Sequence, residues 1–224
     1  MSNTQLWDAT AVVMPANREQ VRAAAGQLGL ESWDGSGRLV RLRAPLDEAG
    51  LRRALKAQAA LEQVVLWLDG FGSMGTWYAM VAARSGVGVV LASAFGTGGL
   101  PALEQLVVNG LGQNVRRSGL GDYLAIVGGL LKLRPWPHQP VAGEVAFEAC
   151  RSGSSSSLDP ERFGLARRHR VGACSDEGVV ETCLRQLSIE PTPARVQRVL
   201  GAAAGSAGLS ELELINCLGE AELV

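Results

Sequence analysis

Gln63-Val64-Val65-Leu66-Trp67-Leu68 runs into Asp69-Gly70-Phe71-Gly72-Ser73-Met74-Gly75, and this stretch decides the fold. A continuous apolar run stopped by Asp and Gly is the pattern of a strand buried on both faces of a parallel sheet. The glycines after it turn the chain into a helix over 76–84. Outward from this unit the same alternation repeats. On the N-terminal side, Ala11-Val12-Val13-Met14-Pro15 reads as a strand and 18–30 as a helix, with Val21, Ala24, Ala25 and Leu28 at helical spacing and Gly29 as its stop. Asp34-Gly35-Ser36-Gly37 is turn-rich, Leu39-Val40-Arg41-Leu42 is a second strand, and 47–61 is a helix with Leu51, Ala54, Leu55 and Gln58 on one face. On the C-terminal side, 87–92 reads as a fourth strand, a helix falls near 101–117, and Tyr123-Leu124-Ala125-Ile126-Val127 reads as a fifth strand. Strictly alternating units of this length predict an α/β fold, a Rossmann-like doubly wound parallel sheet with helices on both faces and right-handed crossovers.

Past Val127 the pattern changes. Pro135, Pro137 and Pro140 break 133–141 into an extended loop that holds Trp136 and His138, either as an aromatic anchor on the sheet edge or as a binding surface. One more strand is expected at Glu144 to Phe147. Arg151-Ser152-Gly153-Ser154-Ser155-Ser156-Ser157 reads as a flexible linker, so the chain divides into a sheet domain over 1–150, a linker over 151–157 and a helical extension over 158–224. Helices are expected over 159–170, 177–187, 193–204 and 210–223, the third with Thr192 as N-cap and Pro193 at its first position. Arg167-Arg168-His169-Arg170 complements a helix end or binds an anion or partner. Leu209, Leu212, Ile215 and Leu218 make a helical stripe that serves as core or as an association seam, so a protein partner or a homo-oligomer is expected through these helices.

Composition excludes several classes of function. The 224 residues carry 21 basic and 22 acidic side chains, a net charge of −1 and a pI near 6.2, which leaves no basic field for nucleic acid. Gly, Arg or Asp cuts every apolar run short of the ~20 residues that cross a bilayer, so no membrane span is expected. The start, MSNTQLWDAT, has neither the basic residues nor the apolar stretch of a signal peptide, which predicts a cytoplasmic protein. Cys150, Cys174, Cys183 and Cys217 form no C-x-x-C pair and His138 and His169 stand apart, so no metal-ligand spacing is present and buried reduced thiols are expected.

Two motifs overlap at the decisive turn. Gly70-Phe71-Gly72-Ser73-Met74-Gly75 fits G-x-G-x-x-G after a buried strand and before a helix, where backbone amides and the helix dipole hold a pyrophosphate. About 20 residues on, where a ribose-binding carboxylate belongs, the chain reads Val90-Leu91-Ala92-Ser93, so the turn is read either as a dinucleotide cradle of Gly70, Gly72 and Gly75 or as a tight strand-to-helix connection. The same stretch nearly matches the G-x-S-x-G elbow of serine hydrolases, with Phe71 at its first glycine and Ser73 as nucleophile. That chemistry needs His138 or His169 as base with a carboxylate behind it.

In order and spacing, 39–55, 64–72, 87–94, 102–129 and 142–147 resemble successive core segments of the short-chain dehydrogenase/reductase superfamily, which includes the ketoreductase domains of fatty-acid and polyketide synthases. The resemblance covers roughly residues 10–150. It implies an NAD(P)-binding Rossmann fold and matches Ser93 to the family's active-site serine. The chain departs from the family at the positions that carry chemistry. Met14-Pro15-Ala16-Asn17-Arg18-Glu19, where the cofactor loop belongs, has no glycine, and the family's Tyr-x-x-x-Lys aligns with Gly96 and Leu100. Neither Tyr78 nor Tyr123 has a lysine four residues on.

The function expected from these readings is a catalytically degenerate reductase-like domain, a pseudoenzyme without a cofactor, with a structural or protein-interaction role in a fatty-acid or polyketide-type assembly. The alternative is an oxidoreductase with a non-standard active site that takes NADP or NAD at Gly70, Gly72 and Gly75. A third reading is a serine hydrolase built on Ser73.

Overall fold

The structure is a computed structural model that describes residues 4–44, 46–113, 115–136, 139–143, 146, 159–165, 170–206 and 208–219, with the backbone alone of Ser73. The chain divides into two compact units, one of Met1–Glu144 with Arg162–Leu165 and one of Val145–Glu161 with Ala166–Val224. Each is described by itself.

The first unit is α/β, with a five-stranded, all-parallel sheet flanked by helices, in keeping with a Rossmann-like doubly wound fold. Its strands are β1 (Gln5–Asp8), β2 (Glu31–Ser32), β3 (Arg38–Arg43), β4 (Val64–Asp69) and β5 (Val89–Ala92), in the order β2-β1-β5-β4-β3. Its helices are α1 (Thr10–Val13), α2 (Arg18–Gln27), α3 (Glu48–Lys56), α4 (Gly75–Arg84), α5 (Leu103–Val108) and α6 (Leu120–Leu131). The crossovers β1 to β2, β3 to β4 and β4 to β5 all step in one direction across the sheet. Right-handedness places their helices on one face, the face that presents Leu6, Leu66, Leu68 and Val90, all fully buried.

The crossing from β2 to β3 steps the opposite way, past β1, β5 and β4, and covers the other face. It consists of residues 33–37 alone. This strap is fixed by the buried Trp33, whose ring lies edge-on to Trp67 at 5.5 Å and whose indole N–H donates to the Ser36 carbonyl at 2.9 Å. Gly37 closes it in a left-handed conformation (φ 94°), and a Cβ there would lie 2.6 Å from Cγ2 of Val65, so only glycine fits. The chain thus winds over both faces: the crossover helices lie on one, whereas the other, where helices were also expected, is covered by the strap together with Val12 and Val13 of the single turn α1 and by Leu100.

Two expected strands are corrected. The first strand is Gln5–Asp8, and Ala11 to Val13 lie in the helical turn α1, whose N-terminal residues Thr10 and Ala11 are buried. Tyr123 to Val127 lie inside α6, where Leu120, Tyr123, Leu124 and Val127 are buried at the i, i+3, i+4, i+7 spacing of a helix face. The expected strand at Glu144 to Phe147, Ala146 apart, lies outside the described residues. So do the linker over 151–157, the pair Pro137-His138 and the run Arg167-Arg168-His169. Trp136 is 81% exposed.

The second unit contains α7 (Glu177–Gln186), α8 (Pro193–Ala203) and α9 (Glu211–Leu218) around a core that includes Val171, Val180, Leu184, Val199, Leu214 and Leu218. Each helix starts on a side-chain cap. Asp176 accepts from Val179 N at 3.0 Å, Thr192 accepts from Arg195 N at 3.4 Å ahead of Pro193, and Ser210 forms a capping box with Glu213. The expected stripe on the last helix divides: Leu218 is buried and Leu209 packs against the core, whereas Leu212 is 67% exposed. Of the thiols expected to be buried, Cys183 is buried, Cys217 is half-buried and Cys174 is exposed, and burial pushes the thiol of Cys183 up to about 11.

Candidate functional site at the carboxyl edge of the sheet

Open parallel sheets bind ligands outside the carboxyl ends of their strands, so the chemistry of this unit is read at the ends of β1, β4 and β5. β1 ends on Asp8, fully buried. Its Oδ1 accepts from the Thr10 hydroxyl at 2.5 Å and the Thr10 amide at 2.8 Å, and its Oδ2 accepts from the Tyr123 hydroxyl at 2.9 Å. The Thr10 oxygen in turn accepts from Ala94 N at 2.8 Å, just past the end of β5. Burial raises the Asp8 carboxyl above its ordinary value against the pull of these donors. Burial, and then the Asp8 charge, holds the Tyr123 phenol well above its ordinary value. A reductase tyrosine acid needs the opposite shift.

After β5 the chain folds over this cluster. Ser93 is fully buried, and its hydroxyl donates to the Thr97 carbonyl at 2.7 Å within the loop. Phe95, Gly96, Gly98 and Gly99 all take left-handed conformations, and a Cβ on Gly98 would lie 2.8 Å from Val13. Phe95, non-glycine at φ 57°, is held there by its amide, which donates to Oε2 of Glu104 at 3.0 Å. Glu104 is fully buried and Oε1 makes no hydrogen bond among the described residues. Burial pushes its carboxyl up to about 7.

The glycine motif lies beside this loop. Gly70 (φ 76°) and Gly72 (φ 53°) carry the chain from β4 into α4, which starts at Gly75 against Pro101. Phe71 is buried and packs on Tyr78 with ring centroids 4.8 Å apart. A Cβ on Gly99 would lie 3.5 Å from Gly70 N, so the two loops are neighbours, while nothing stands within 4 Å of the Cβ position of Gly72. Asp69 ends β4 at the mouth of the turn and is paired with Arg41 at 2.6 Å and Arg43 at 3.1 Å, with Arg41 stacked 5.0 Å over Trp67. A carboxylate next to the loop repels a pyrophosphate, and the two arginines offset that repulsion.

The structure therefore brings Ser93, Gly70, Gly72 and Gly75 to one edge of the sheet, with Ser93 buried, Gly70 and Gly72 exposed, and Gly75 buried against Pro101. Asp8, Thr10, Tyr123 and Glu104 are missing from the residues singled out by sequence. Asp8-Ala9-Thr10 is a visible signal, since Asp followed two residues later by a hydroxyl is a local hydrogen-bonding pattern. Nothing in the sequence joins it to Tyr123. Among the described residues no group of three or more His, Cys, Asp or Glu could hold a metal, and no helix is long and apolar enough to cross a membrane. No protein-family model matches the chain, and no curated protein matches it.

Proposed function

We propose that this chain is a catalytically degenerate, short-chain-reductase-like domain with a structural or protein-interaction role, in the setting of a fatty-acid or polyketide-type assembly that its resemblance implies. One observation carries the reading: the polar groups at the ends of β1 and β5 are spent on the chain's own groups, Asp8 on Thr10 and Tyr123, Thr10 on Ala94 N, and Ser93 on the Thr97 carbonyl of the Ala94–Gly99 loop. A hydride-transfer site needs a polar group turned outward to substrate, with a tyrosine whose pKa is lowered. Interaction through the C-terminal helices is favoured by Leu212, exposed on α9.

Fluorescence titration with NADPH and NADH tests the proposal, and no saturable binding in the micromolar range is expected. A dissociation constant below about 10 μM, worth roughly 7 kcal/mol, sinks it in favour of an oxidoreductase that uses NADP or NAD. That second reading is favoured by Gly72, whose Cβ position is open at the start of α4. The hydrolase reading on Ser73 is separated by labelling with a fluorophosphonate, which should leave the chain unmodified.

A further inference from the structure

The amino-terminal edge of the sheet, opposite the carboxyl edge, carries a cavity of about 610 Å³ between the last turn of α4 and the segment 109–117. Thr4, just before β1, lies on its wall. Arg84, the last residue of α4, and Arg117 both line it, the first exposed and the second half-buried. Neither guanidinium has an ion pair or a side-chain hydrogen bond among the described residues, and the described lining includes no carboxylate.

An arginine at a helix C-terminus ordinarily complements the terminal carbonyls. Here those carbonyls have other donors. At the end of α4, Val81 O accepts from Ser85 N and Oγ, Ala82 O from Val87 N, and Ala83 O from Gly86 N, while the Thr4 hydroxyl donates to Val87 O at 2.6 Å. At the end of α5, Gln105 O accepts from the Asn109 amide and side chain, Leu106 O from Leu111 N, and Val107 O from Gly110 N. The two cations are thus left over, in a chain whose net charge is −1.

We propose that this cavity binds an organic phosphate monoester, with its phosphate on Arg84 and Arg117 and its apolar body on Met80 and Leu111. Two guanidinium forks match the charge of about −2 on a phosphate monoester and its oxygen geometry. The volume exceeds what an inorganic ion fills and lies within the range of small-molecule sites. Asn109 spends its side-chain N–H on Gln105 O, which leaves its carbonyl to accept from a hydroxyl of the ligand.

Calorimetric titration of the full chain with 1-naphthyl phosphate tests the site. Saturable binding is expected, at least about tenfold tighter than that of inorganic phosphate or 1-naphthoate, weakened about tenfold by R84Q and by R117Q and reduced by added salt. Equal affinity of wild type and the R84Q/R117Q double variant overturns the proposal, as does a lack of saturation by about 5 mM. Tight binding of 1-naphthoate overturns the assignment to a phosphate. If R117Q lowers the melting temperature, R84Q, on an exposed residue, carries the test alone.

Discussion

Glu104 gives the first unit a pH dependence opposite to that of most buried carboxyls, which are paired in their charged form. Its carboxyl has an ordinary value of 4.5 and stands at about 7 in the fold, because burial penalises the anion. The fold favours the proton, so the contribution is fully present below pH 4.5 and is lost as pH rises through 7. At 1.36 kcal/mol per unit this amounts to about 3 kcal/mol. Asp8, also raised, acts in the same direction. Thermal melts should therefore lose stability between pH 5 and 8, and Glu104→Gln, whose amide oxygen still accepts from Phe95 N, should flatten that slope. A wild type with no loss across this range contradicts the buried-acid account. Tyr123→Phe removes a donor from Asp8 and should cost about 1–3 kcal/mol by denaturant titration. At this scale the sequence was least informative. The glycines of the turn after β4 were legible because they follow an apolar run, whereas Asp8 and Tyr123 meet only through the packing of α6, which no local pattern records.

Among the elements, the strap is the most exposed to damage, since it has no internal hydrogen-bond ladder and depends on two residues. Gly37→Ala forces a left-handed alanine against Val65, and a destabilisation of roughly 1–3 kcal/mol is expected in urea melts. Gly35→Ala supplies the control: it has the same sign of φ but nothing within 4 Å of its Cβ position, so it should cost less. If the two cost the same, the contact with Val65 is not what fixes the strap. Helices with a cap and a clean period, such as α3 behind Asp47 and α8 behind Thr192, were readable from sequence. The misreadings have physical causes. β1 is a short strand with a polar residue at each end, so its apolar signal is weaker than that of the helical turn after it. In α6 the run Tyr-Leu-Ala-Ile-Val has strand composition, but Leu120 and Val127 place it on a helical period. On α9 the buried pair is Leu214 and Leu218, four residues apart, because that face packs into the core with Leu184 and Val199, which leaves Leu212 outside it.

On the scale of the whole molecule, two cores imply two stabilities. Leu184 is fully buried in the second unit, and Leu184→Ala should cost that unit about 2–5 kcal/mol. Hydrogen exchange is expected to show faster exchange at the amides of α7 and α8, with those of β4 and β5 unchanged. Equal acceleration in both sets means that the chain unfolds as one cooperative block. The order β2-β1-β5-β4-β3 also bears on how the chain leaves the ribosome. β1 is made first but lies inside the sheet, and its longer partner is β5, with Gln5 paired to Val89, more than eighty residues later. At translation rates of ~5–20 residues per second, β1 waits about 4–16 s with that flank uncovered. A strand held open that long is a target for holding chaperones. Synonymous codons that slow synthesis between β1 and β5 should lower the soluble yield of an unchanged protein.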